Sequence, residues 1–91
     1  MTEETLFEVE KRASRSEVAA YLRTVADRLD EGGTLTLEAG DDAITVETPR
    51  EVEFEVAVER EGPASGDGEL SVELEFEWPE GGTGADSLSI D

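Results

Sequence analysis

The chain has 91 residues, enough for one small domain and too few for two. Its 25 acidic residues against 7 basic ones give a formal net charge of −18, which disfavours nucleic acid and other polyanionic partners. Without cysteine or histidine it has no disulfide, no thiolate metal site, no cysteine nucleophile and no imidazole base or ligand. No apolar run approaches the roughly 18 residues of a membrane span. The opening "MTEETLFEVE" is acidic where a secretory signal would be basic and then apolar, so a soluble, cytoplasmic protein is expected.

The charge also describes a solvent. At low ionic strength such a density of carboxylates strains the compact state by self-repulsion. The Debye length falls from about 10 Å in 0.1 M salt to about 3 Å in 1 M, so molar salt largely removes that strain. The basic residues are six arginines and only Lys11, and the aromatics are few. Arginine is the more weakly hydrated cation and pairs bidentately with carboxylates. An acidic surface with almost no lysine fits a halophile better than an acidic interaction protein or nucleic-acid mimic from an ordinary cell.

In chain order, residues 1–5 are polar and expected to fray. "LFEVEKR" at 6–12 is a short candidate strand, with Phe7 and Val9 on one parity. "SRSEVAAYLRTVADRLDEGG" at 14–33 reads as one helix. Ser14 and Glu17 make a capping box, Val18, Leu22, Val25 and Leu29 form an apolar stripe, and Gly32–Gly33 supply the stop. "TLTLEA" at 34–39 and "AITVET" at 43–48 read as strands joined by a hairpin turn at "GDD". Pro49 stops the second of them.

Two longer strands follow, "EVEFEVAVER" at 51–60 and "ELSVELEFEW" at 69–78, separated by the breaker-rich "EGPASGDG". Each alternates a carboxylate with an apolar group. Val52, Phe54, Val56 and Val58 fall on one side of the first, and Leu70, Val72, Leu74, Phe76 and Trp78 on one side of the second. Residues 80–91 are small, polar and glycine-rich, and are expected to be a flexible tail after a domain at 1–79. The pattern supplies about nineteen core side chains, enough for one helix on one sheet. The expected fold is therefore α+β, one helix on one face of a mainly antiparallel five-stranded sheet in the order β-α-β-β-β-β. The place of the first strand in that sheet stays open between pairing beside the second strand and pairing beside the last.

The helix start at Ser14–Arg15 with Glu17, the Gly32–Gly33 pair, Pro49, and the paired acidic strands ending in "ELEFEW" at Trp78 resemble the amphi-Trp domain. This small prokaryotic domain is common in haloarchaea and named for amphipathic strands closing on a tryptophan. The likeness covers roughly residues 6–78. The family has no established activity, so the resemblance implies a fold-sized unit and no particular chemistry.

Few residues stand out as functional. Lys11, Arg12 and Arg15 cluster at the helix start, where they would attract a phosphate or an acidic segment, or offset Glu8, Glu10 and Glu17 within the chain. Trp78 has core parity at a strand end, which places it at the rim of the core or at an interface. The glutamate face reads as a hydrated coat more readily than as a polyanionic recognition face. Asp41–Asp42, Asp27, Asp30 and Glu31 match no calcium-loop spacing, so no metal site is expected. No serine has a histidine partner, the glycines form no phosphate loop, and exposed acids lack the apolar pocket that acid–base work needs. No catalytic residue and no cofactor are expected, and the chain is not expected to be an enzyme. These readings leave a noncatalytic interaction or assembly module of a halophile, with an unidentified protein partner or a second copy. The alternative is a nucleic-acid-associated regulatory protein, or an acidic mimic that binds a basic partner.

Overall fold

A computed structural model describes residues 3–63 and 65–80. It contains one helix, α1 (Arg15–Asp30), and four strands, β1 (Thr34–Ala39), β2 (Asp42–Glu47), β3 (Glu53–Glu61) and β4 (Glu69–Glu77). The protein is α+β, divided into two compact units, Met1–Arg50 and Glu51–Asp91. The strands make two antiparallel hairpins, β1–β2 in the first unit and β3–β4 in the second.

The five-stranded sheet expected from the pattern is therefore corrected to two two-stranded sheets. Residues 6–12 form no strand. Only Phe7 and Val9 alternate there before Glu10, Lys11 and Arg12, and Lys11 is drawn to the helix instead of a strand partner. The expected flexible tail, apart from Glu80, lies outside the described residues.

In the first unit α1 starts where its cap dictates. Ser14 is extended, and its Oγ accepts a hydrogen bond from the Glu17 backbone N–H at 3.0 Å, satisfying one of the free donors of the first turn. At the other end the Gly33 N–H donates to the Arg28 carbonyl at 2.8 Å, and the chain reverses through Gly32 and Gly33, both at positive φ. Gly33 has a second reason to be glycine. A β-carbon there would lie 2.5 Å from the Thr48 carbonyl oxygen, because the Thr48 N–H donates to the Gly33 carbonyl at 2.8 Å and closes the far end of the β1–β2 hairpin. At the near end Gly40 holds the first turn position at φ +61° while Asp41 stays at negative φ, the type II′ geometry that suits strand twist.

The register pairs Leu35 with Val46 and Leu37 with Ile44 on one face, and Thr34 with Glu47 and Thr36 with Thr45 on the other. The second face is polar and internally bonded: the Thr34 hydroxyl donates to Glu47 at 2.6 Å, and the Thr36 and Thr45 hydroxyls are 3.0 Å apart. The helix packs on β1. Leu35 is the one large apolar side chain that is buried among the described residues, at 7% exposure. Val25, Ile44 and Val46 are half-buried, whereas Leu22 and Leu29 of the helix stripe remain exposed. The core is thinner than the pattern predicts, because a single helix lying on a two-stranded sheet can cover only one row of side chains.

Candidate interaction site

The two faces of the β3–β4 hairpin are separated by strand parity and locked by register. Phe54 lies opposite Phe76, Val56 opposite Leu74, Val58 opposite Val72 and Arg60 opposite Leu70. On the reverse face Glu53 lies opposite Glu77, Glu55 opposite Glu75 and Glu61 opposite Glu69, with Glu59 and Glu73 facing Ser71 and Ala57. A slip of one residue would exchange the faces entirely, so the alternation specifies the pairing.

The apolar face is open. Phe54, Val56, Val58, Leu70, Val72 and Leu74 are exposed, from 50% at Leu74 to 74% at Leu70. Near its wide end Phe76 and Trp78 stack with ring centroids 6.1 Å apart and planes inclined by 21°. Both rings are half-buried. At the narrow end the Arg60 stem joins the apolar row beside Leu70. The face therefore grades from stacked rings, through a valine and leucine centre, to a single cation.

The glutamate face carries the electrostatic strain. Glu75 has its carboxyl held above the ordinary range, first because it shares a hydrogen bond with the facing Glu55 and then because Glu77 is charged beside it. Among the described residues no group of three or more carboxylates converges so as to hold a metal ion.

In the first unit, Lys11 is the residue that the fold engages most. Its Nζ donates to Glu17 Oε2 at 2.8 Å and to the Tyr21 hydroxyl at 3.1 Å, and lies 5.4 Å from the Tyr21 ring centroid. The Glu17 hydrogen bond, then that to Tyr21, raises the Lys11 ammonium well above the lysine range. Glu17 is lowered in turn, mainly by Lys11 and to a smaller extent by the Ser14 backbone N–H that completes the capping box. These contacts tie the segment before the helix onto the helix's first two turns. Arg12 and Arg15 are exposed and make no ion pair among the described residues. The cluster at the helix start is thus one engaged cation and two solvated ones.

The tied segment forms one wall of a groove of about 1360 Å³, larger than the usual small-molecule pocket of roughly 300–1,000 Å³. Phe7 and Val9 line one side, Val18, Tyr21 and Val25 another, and all six residues of β1 the floor. Residues of both parities line it because β1 pairs with β2 along one edge only. Lys11, Arg12 and Arg15 belong to the first unit and Trp78 to the second.

A family model described as the Amphi-Trp domain matches residues 1–91, the whole chain. The chain belongs to that family. No curated protein and no solved structure matches it. Within this Amphi-Trp domain, alternation in the two strands foretold both faces and the position of Trp78 on the apolar one. Arg60 was not singled out from the sequence, although it continues the series 54, 56, 58. The edge of β1 that has no strand partner among the described residues left no local signal, because pairing depends on partners distant in sequence.

Proposed function

We propose that this chain is a noncatalytic interaction and assembly module adapted to a salt-rich cytoplasm. One observation carries the reading: a contiguous apolar face on β3–β4, exposed along its length and backed by a face of glutamates. Exposed apolar patches beyond a few hundred Å² mark interaction surfaces in soluble proteins. The reverse face serves as a hydrated coat that keeps such a protein dispersed in molar salt. The absence of histidine and cysteine and the exposure of the carboxylates argue against catalysis.

The test is a capture experiment with the full chain in about 2 M KCl, where charge attraction is screened. The wild type is compared with a Val56→Lys, Leu74→Lys variant that places two cations in the centre of the apolar face. A stoichiometric protein partner, a second copy included, that binds the wild type and not the variant supports the reading. Equal recovery by both, or recovery abolished by nuclease, overturns it; the latter result would turn attention to Arg12 and Arg15. Salt adaptation has its own measurement. Tm should rise steeply between about 0.1 and 2 M KCl, and a flat response would refute it.

A further inference from the structure

Resting on that reading, the geometry points to a specific occupant: the apolar face of β3–β4 docks on the same face of a second copy, with the strands reversed, so that Arg60 of each copy lies at the aromatic end of the other, where Phe54, Phe76 and Trp78 gather.

Area is the first argument. Phe54, Val56, Val58, Leu70, Val72 and Leu74 leave roughly 600 Å² accessible per copy, so burying both faces removes up to ~1,200 Å². That is the lower bound of a stable interface, and Phe76, Trp78 and the Arg60 stem add to it. Two such faces pack at the ordinary sheet separation of about 10 Å, with strand directions inclined by about 30°.

Charge selects the partner and the direction. A basic partner would find its complement on the glutamate face, not on this one. Between two copies a two-fold axis can lie along the strands or across them. An axis along the strands brings the two Arg60 cations together inside the interface. An axis across them moves each Arg60 to the partner's aromatic end, where a guanidinium is attracted to a ring face. The reversed arrangement also sets the bulky end of one copy against the slender end of the other. Because the reverse face carries like charges, a third copy has nowhere to stack, and assembly closes at two.

The experiment is sedimentation equilibrium of the full chain at about 100 µM in about 2 M KCl. A dimer of twice the 9.8 kDa chain mass is expected. Val58→Glu should give a monomer with unchanged circular dichroism, since Val58 is already 69% exposed in the single chain. Arg60→Ala, at the exposed end of the face, should raise the dimer dissociation constant about tenfold, two cation–π contacts each contributing a factor of a few. A monomeric wild type, or a dimer untouched by Val58→Glu, overturns the proposal. A dimer indifferent to Arg60→Ala overturns the reversed arrangement. If the wild type is monomeric yet still captures another protein through the Val56 and Leu74 face, self-docking fails while the interaction module stands.

Discussion

The glutamate ladder permits a quantitative test of what the acidic face costs. Replacing Glu55 and Glu75 by glutamine removes one directly facing pair while keeping shape and hydrogen-bonding capacity. Facing side chains on paired strands sit about 5 Å apart at their β-carbons. With Debye lengths of about 10 Å in 0.1 M salt and 3 Å in 1 M, the screened interaction keeps about 0.6 of its strength in the first and about 0.2 in the second. The gain in Tm of Glu55→Gln, Glu75→Gln over wild type should therefore shrink about threefold between those salts. Far-UV circular dichroism melts of both proteins supply the numbers. The variant Glu8→Gln, Glu38→Gln, which removes two charges outside the ladder, corrects for net charge. The pH dependence has a determined sign. Glu75 is raised in the folded chain, so folding takes up protons there: the wild type is relatively favoured below the ordinary carboxylate range and loses that advantage as pH rises through the raised value. The gain from the double variant should accordingly be largest at neutral pH and vanish in acid. An equal gain in both salts would refute an electrostatic origin, and a gain that persists in acid would refute the pairing.

Three further outcomes follow from the first unit. Leu35→Ala should destabilise the protein by about 2–3 kcal/mol, the low part of the core range because the surrounding core is shallow, as read by urea unfolding in high salt. Gly33→Ala should cost about 2 kcal/mol or more and Gly32→Ala about 1 kcal/mol, since only the first meets the Thr48 carbonyl besides adopting positive φ; the reverse order in urea unfolding would show that hairpin closure is not the constraint. Lys11→Met should shift the Tyr21 ring resonances in NMR spectra, because Tyr21 is the single tyrosine and Lys11 contacts its hydroxyl and ring. In the wild type the contact should persist at neutral pH, fail in acid as Glu17 is protonated through its lowered value, and fail in strong alkali only beyond the ordinary lysine range.

What could be read without the structure divides along a physical line. Local rules placed Ser14 as the cap, Gly32–Gly33 as the stop, β1 at 34–39, and the two faces of the long strands, because each depends on neighbours within a few residues. The strand expected at 6–12 failed on a longer-range competition. Its single alternating apolar pair, Phe7 and Val9, offers little to a sheet, whereas Lys11 gains Glu17 and Tyr21 by following the helix. The number of sheets was equally out of reach. Alternation says which side of a strand avoids water; it does not say what covers that side.

Amphipathic strands ordinarily signal a sheet whose apolar side faces a core of its own chain. Here Val56, Val58, Val72 and Leu74 form the centre of such a side and are themselves exposed. The tryptophan closes the apolar row at one strand end through its stack on Phe76, and Arg60 closes it at the other. A ring pair and a cation at opposite ends of one apolar strip make a surface with polarity along the strands. Such polarity adds nothing to a hairpin by itself, since the two ends are too far apart to meet within it. In the proposed dimer a second strip laid over the first in reverse would use that polarity, and the screening of molar salt would let two such acidic chains approach closely enough to do so.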